Sequence, residues 1–166
     1  HSHLIERAGN YTGKGPITLL PVLQSDIESS TDLITTNVMG ATDGHLSFSA
    51  TLFSKGVFPP IVHQESVTRV GKHTQLQVQK ELSTAIMLSL AQYREQERYT
   101  HFGGQGTEES REILLRGTVL GELLSQEIGT HISHEAQAIV LSLPLTTFLK
   151  NHDLEFFKKY KHQLYA

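Results

Sequence analysis

From residue 73 onward, apolar residues recur at the spacing of an amphipathic helix, and this pattern limits the possible fold more than any other feature. One stripe falls at every fourth position, at Val78, Leu82, Ile86 and Leu90. Because residues four apart lie on one face of a helix, the stripe predicts a helix that buries one side. Tyr93 continues the stripe, so the predicted helix is long.

Three more helices are predicted further along the chain. Their expected starts are Thr107, Ser133 and the stretch 151–153. Acids follow Thr107 in the first turn, where the helix dipole favours them. The last helix has Phe157 and Tyr160 at helical spacing, which predicts a place in a core and not in a base-stacking surface. Four successive amphipathic helices predict a helical bundle.

The first 72 residues have a different pattern, rich in strand and loop signals. The apolar run at 17–23 is typical of a buried parallel strand, and residues 46–52 alternate apolar and polar as a half-buried strand does. We therefore predict an α+β chain with a boundary near residues 69–73. Residues 1–72 would be the C-terminal part of an α/β domain, and residues 73–166 a helical domain.

Composition excludes several classes of function. The net charge of −3 does not fit the basic footprint of a nucleic-acid-binding protein, so no nucleic-acid partner is predicted. Cysteine is absent, which excludes disulfides and thiolate chemistry. No apolar run approaches the roughly 20 residues that cross a bilayer. Both ends of the chain fall inside helical patterns, so we predict a fragment of a longer polypeptide.

The run Ser66–Gly71 contains the candidate with the clearest chemistry, Arg69, at the end of an apolar segment and just before a glycine. The 166 residues contain no phosphate-binding loop for it to serve. The nearest run, at 9–15, has three residues between its first two glycines where the motif needs four, and Gly15 where a Ser or Thr is required. A functional Arg69 would therefore act on a nucleotide held by another subunit. From local sequence alone, a solvated or salt-bridged arginine is the commoner interpretation.

No metal site or acid–base pair is predicted. His131 and His134 are three residues apart and could share a helix face, but no third ligand is adjacent. With ten histidines in the chain, a pair at this spacing is expected by chance. The acids Glu108, Glu109 and Glu112 are typical of a solvated helix face.

Several runs resemble, in order and with similar gaps, the alpha subunit of F-type rotary ATP synthases. The resemblance covers nearly the whole chain. The matching runs are 1–8 (HSHLIERA, against HSRLLERA in the family), 17–22 (ITLLPV, against SLTALPVI), 36–44 (TNV and TDG, against TNVISITDGQ), 52–56 (LFSKG, against ELFNAGIRPAI), 66–71 (SVTRVG, against SVSRVG) and 90–95 (LAQYRE, identical), with echoes at 101–103 and 116–117.

The resemblance implies a role for each part of the chain. Residues 1–72 would finish a RecA-like nucleotide-binding domain, and residues 73–166 would form most of a C-terminal helical domain. Arg69 aligns with the family's arginine finger, which acts in trans on the catalytic site of the beta subunit. The reacting species would be ATP or ADP with Mg, and the partners would be beta and gamma subunits.

The resemblance also implies a second nucleotide site, on the alpha subunit itself. Pro59 and Gln126 retain the family's residues there, whereas Phe58 and Ile128 replace an arginine and a glutamine. Taken by itself, Gln126 is more typical of a polar surface residue at a helix end. Gly40 stands where the family has a serine near the catalytic interface. Phe102, Gly103 and Gly104 match the segment that faces the central rotor, although a plain helix connection explains these glycines equally well.

The predicted function is that of a regulatory, largely non-catalytic alpha subunit. It would complete the beta subunit's catalytic site for ATP synthesis or hydrolysis coupled to proton or sodium transport, and the isolated fragment would be inactive. Its location would be peripheral, on the inner face of an energy-coupling membrane. The alternative is a truncated paralogue that acts as an interaction module without a nucleotide role.

Overall fold

The computed structural model describes residues 2–24, 33–69, 71–101 and 106–165. Two compact units divide the chain. The first contains His1–Phe48 and Ile61–Thr74, and the second contains Ser49–Pro60 and Gln75–Ala166. The segment 49–60 therefore belongs with the helical unit, although it lies within the first 72 residues of the sequence.

The first unit consists of short elements joined by turns. In chain order they are α1 (Ser2–Ile5), β1 (Gly9–Asn10), β2 (Pro16–Ile17), α2 (Leu33–Ala41), β3 (Gly44–His45), β4 (Val67–Thr68) and a 3₁₀ turn (Gly71–His73). The strands form two antiparallel pairs, β1 with β2 and β3 with β4. In the second pair Gly44 lies opposite Thr68, and His45 lies opposite Val67.

The prediction of a buried parallel strand at 17–23 is wrong for this structure. Only Pro16–Ile17 is a strand, and its pairing with β1 is antiparallel. Leu20 and Val22 are 83% and 94% exposed. A buried parallel strand needs a parallel neighbour and a sheet that is covered on both faces. In the described part of the first unit, β1 is the strand that pairs with β2.

The predicted strand at 46–52 is also wrong. The β3 strand ends at His45, Phe48 makes an isolated bridge to Ile61, and a short helix, α3 (Ala50–Ser54), follows in the second unit. The hydroxyl of Ser49 accepts a hydrogen bond from the Leu52 backbone N–H and caps this helix. Local capping therefore outweighs the alternating pattern at this point.

The second unit confirms the predicted helical half of the fold. Besides α3, it contains α4 (Gln77–His101), α5 (Glu108–Leu124), α6 (His134–Ser142), the 3₁₀ turns Leu143–Leu145 and Thr147–Asn151, and α7 (Leu154–Tyr165). Thr107 and Ser133 are N-caps, because their hydroxyls accept hydrogen bonds from the backbone N–H groups of Ser110 and Ala136. None of the described helices is long and apolar enough to cross a membrane.

The core of the second unit lies where α4, α5, α6 and α7 meet. Its buried apolar residues are Ile86, Val119, Leu120, Leu123, Val140, Leu141, Leu149 and Phe157. From the predicted stripe of α4, Leu82 and Leu90 pack against this core, whereas Val78 is exposed. Helices α4 and α5 approach closely at Gly117, where an added Cβ would lie 2.2 Å from Cγ of Tyr93.

Candidate functional site

Arg69 directly follows β4, and a ladder of hydrogen bonds in the first unit fixes its backbone. Its own N–H donates to the carbonyl of Asp43 at 2.8 Å. Further along the ladder, the Ser66 hydroxyl accepts from the Ser47 N–H at 3.1 Å and donates to the Val62 carbonyl at 2.8 Å. Hydrogen bonds therefore hold the segment that contains Arg69 at both ends of the β3–β4 pair.

The guanidinium of Arg69 is anchored at the C-terminal end of α2. Its Nη1 donates to the carbonyls of Gly40 at 2.9 Å and Thr42 at 3.2 Å. Carbonyls in the last turn of a helix lack partners within the helix and carry the negative end of its dipole. The arginine satisfies these acceptors and supplies the cation that this end favours.

One edge of the guanidinium makes no hydrogen bond to the described residues. In the described part of the chain, Arg69 makes no ion pair, and its hydrogen bonds from the guanidinium both come from Nη1. The side chain is exposed. Nε and Nη2 form one edge of the planar fork, which matches two oxygens of a phosphate or carboxylate. The arrangement can therefore hold the arginine by one nitrogen and present the other two to an anion.

The two residues predicted to bind nucleotide lie close together in the second unit. The backbone N–H of Gln126 donates to the carbonyl of Phe58, the residue before Pro59, at 2.6 Å. Gln126 follows Ser125, the C-cap residue of α5. Gln126 is half-buried and Pro59 is exposed. The structure therefore brings together the two retained positions, which are far apart in the sequence.

Two aromatic rings pack together on the Phe58 side of this junction. The rings of Phe53 and Phe58 meet edge to face, with 5.4 Å between their centroids. Ile128, two residues beyond Gln126, is 88% exposed. The junction thus joins the backbone of Gln126 to that of Phe58, whose ring packs on Phe53. An aromatic face and an amide are groups that can take a planar ring with polar edges.

The sequence predictions did not identify the groups that hold Arg69. Those groups are the carbonyls of Gly40 and Thr42, and a backbone carbonyl leaves no signature in residue type. Ser66 belongs to the run Ser66–Gly71, but the contacts of its hydroxyl with Ser47 and Val62 depend on the fold.

Other predicted positions are placed outside these two sites. Phe102, Gly103 and Gly104 lie outside the described residues. His131 is exposed, and no group of three or more His, Asp or Glu side chains in the described ranges could hold a metal ion. An open cavity of about 470 Å³ lies beside Leu115, Leu149 and Phe156, and it contains none of the predicted site residues.

Two family models match the chain, one for each part. Residues 1–68 match the ATP synthase alpha/beta family, nucleotide-binding domain. Residues 75–166 match the ATP synthase alpha/beta chain, C terminal domain.

Individual relatives align over almost all of the chain. An ATP synthase subunit alpha from Aquifex aeolicus (strain VF5) is 34% identical over 169 residues, which cover 100% of this chain and 34% of the relative. Proteins of the same name from Clostridium botulinum (strain Eklund 17B / Type B) and Orientia tsutsugamushi (strain Boryong) are 34% and 32% identical over 167 residues, covering 99% of this chain and 33% of each relative. The chain thus spans about a third of the length of these relatives.

Proposed function

We propose, from the premise that this chain belongs to the ATP synthase alpha/beta family, that it acts as part of an ATP synthase alpha subunit. In this proposal Arg69 completes a nucleotide site on a neighbouring beta subunit. The helical unit then couples that site to a rotating gamma subunit. The subunit's contribution to catalysis is regulatory, because the nucleotide is held by its neighbour.

The anchored guanidinium of Arg69 is the observation that supports this role. Charge spreads over the phosphoryl oxygens during transfer, and a fixed cation placed there stabilises the transition state. Nη1 is held by Gly40 and Thr42, which limits the rotation of the side chain. Nε and Nη2 are then positioned to donate to two oxygens of the transferred group. Arginine fingers of this kind contribute about 10³–10⁵-fold in rate.

We also propose that the junction of Pro59 and Gln126 binds a nucleotide that belongs to the alpha subunit. The Gln126 N–H to Phe58 carbonyl hydrogen bond keeps the two segments together. The Gln126 side-chain amide can pair with a base edge, and Phe58 offers an aromatic contact. ATP or ADP with Mg would be the bound species, its phosphates held by residues outside this chain.

The wider organisation follows from the same proposal. Residues 1–72 would complete a RecA-like nucleotide-binding domain, and 73–166 would form the helical domain, with Phe102, Gly103 and Gly104 facing the rotor. The break between the family models, at 68 and 75, supports this boundary. The subunit would be peripheral on the inner face of an energy-coupling membrane, within a complex that transports protons or sodium ions.

Replacement of Arg69 in the full complex tests the proposal. We expect Arg69→Ala to abolish cooperative ATP turnover, with a loss of about 10³-fold or more, while the complex still assembles. Arg69→Lys should recover little, because lysine lacks the second nitrogen of the fork. Arg111→Ala is the matched control, since Arg111 forms an exposed pair with Glu108. Normal turnover by Arg69→Ala would contradict the finger assignment.

Recovery of the complex distinguishes this function from an interaction module without a nucleotide role. A tagged full-length gene product should be purified from its native host and its partners identified by mass spectrometry. Recovery with beta and gamma subunits at alpha's stoichiometry supports the synthase role. Recovery without them would favour the interaction module.

A further inference from the structure

The end of α5 is held in place by side chains from α7. Lys161 Nζ donates to the carbonyl of Glu122 at 2.5 Å and to its carboxylate at 3.0 Å. The hydroxyl of Tyr165 donates to the carbonyl of Leu123 at 2.8 Å. Both carbonyls are in the last turn of α5, where they have no partner within the helix.

Helix α5 has no basic residue of its own in this turn. A negative side chain, Glu122, lies there instead, at the end of the dipole that favours cations. Lys161, on helix α7, compensates both for the negative end of the α5 dipole and for the Glu122 carboxylate. The pair is mostly shielded from solvent, because only 18% of the Lys161 side chain and 31% of the Glu122 side chain are exposed. The position of the α5 terminus therefore depends on α7.

The residues held by α7 lie on both sides of Gln126. Glu122 and Leu123 come just before it, and Glu127, which pairs with His162 at 3.6 Å, comes just after it. The His162–Glu127 pair is about three-quarters exposed, so its own contribution is small. On its other side, Gln126 is bonded to the carbonyl of Phe58. Gln126 is therefore bonded to Phe58 and lies next to residues that α7 contacts.

We propose that Lys161 and Tyr165 are positioning residues for the nucleotide site at Pro59 and Gln126. This inference rests on the proposed nucleotide site. By holding the α5 terminus, the two side chains set the distance between the Gln126 amide and the aromatic surface of Phe58. Loss of these contacts lets the segment after α5 move, so part of the binding free energy is spent on ordering it.

Photolabelling of the full complex with 2-azido-ATP tests this proposal. After labelling and digestion, mass spectrometry measures the label on the peptides that contain Pro59 and Gln126. A titration gives the Kd for that position separately from the catalytic positions. We expect Lys161→Met to raise this Kd by about tenfold and Tyr165→Phe by a smaller factor, because a hydrogen bond to a charged group contributes more than a neutral one.

Three measurements separate positioning from general destabilisation. Lys161→Arg should restore the wild-type Kd, since it keeps a cationic donor. Lys158→Met, which removes an exposed pair with Glu155 on the same helix, should leave the Kd unchanged. Lys158→Met should also leave the Arg69-dependent turnover unchanged.

The outcomes distinguish the two proposals. Wild-type labelling at these peptides with an unchanged Kd in both Lys161→Met and Tyr165→Phe would overturn the positioning role and leave the nucleotide site intact. Absence of label from these peptides in the wild-type complex would overturn the nucleotide site and the positioning role with it. If Lys161→Met does not assemble, Tyr165→Phe alone decides, because it removes a single oxygen.

Discussion

At the scale of single residues, the placement of Arg69 depends on backbone atoms more than on side chains. The β3–β4 pair brings residue 69 beside residues 40–43, and the carbonyls of Gly40 and Thr42 then accept from Nη1. This pair needs a glycine at position 44. An added Cβ there would lie 2.6 Å from the carbonyl oxygen of Val67.

Gly44→Ala should therefore displace Arg69 from the carbonyls of Gly40 and Thr42, because it disrupts the β3–β4 pair. The clash is with backbone, so the strands must separate, at a cost of about 1–3 kcal/mol. Under the proposed function, cooperative ATP turnover of the full complex should fall sharply, because the guanidinium loses its anchor. Gly106→Ala, where an added Cβ meets open space, is the control and should turn over normally. Full activity in Gly44→Ala would show that the β3–β4 register does not position Arg69.

At the scale of elements, the contact between α4 and α5 organises the helical unit. The ring of Tyr93 lies against Gly117, and the buried residues Ile86, Val119 and Leu120 continue the same interface. Such a close approach is possible because glycine has no Cβ. An N-cap stabilises the start of α5, where the Thr107 hydroxyl accepts a hydrogen bond from the Ser110 N–H.

Alanine substitutions at two glycines of α5 should change the free energy of unfolding in opposite directions. Gly117→Ala places a methyl group 2.2 Å from Cγ of Tyr93 and should lower the free energy of unfolding by about 1–3 kcal/mol. Gly121→Ala meets open space and should raise it by about 0.5–1 kcal/mol through helix propensity. Urea unfolding of the full-length subunit measures both. Equal effects of the two changes would contradict the observed packing of α5 on α4.

At the scale of the whole molecule, stability at high pH should depend on two tyrosines. Burial raises the pKa of Tyr165 to about 12, and burial together with the Glu97 carboxylate raises the pKa of Tyr93. The folded protein thus keeps these phenols protonated at pH values where the unfolded chain loses the protons. Their stabilising contribution is full below about pH 10 and is lost as pH rises toward 12.

Tyr165→Phe should reduce the loss of stability at high pH. The variant loses the bond to the Leu123 carbonyl, so it should be about 0.5–1.5 kcal/mol less stable than the wild type at pH 8. Between pH 10 and 12 its stability should fall less steeply, because one titrating group is gone. Thermal unfolding of the full-length subunit across this range measures both effects. Tyr99→Phe, at an exposed position, is the control and should match the wild-type stability at pH 8.

The sequence by itself determined the helical half of this protein. The period of four in α4 and the caps Thr107 and Ser133 act over a few residues, so their signals are readable in order along the chain. Arg69 could also be selected as a candidate from the sequence, because its charge and planar fork follow from its residue type. The family resemblance rested on such local runs.

Only the tertiary structure decided which groups meet. The carbonyl of Gly40 lies 29 residues before Arg69, and Lys161 lies 39 residues after Glu122, and no local pattern encodes either contact. The apolar run at 17–23 shows the same limit, because a strand forms where a neighbouring strand satisfies its backbone. Long-range contacts depend on how the chain folds back on itself, and that folding follows from packing of the whole unit and not from residue spacing.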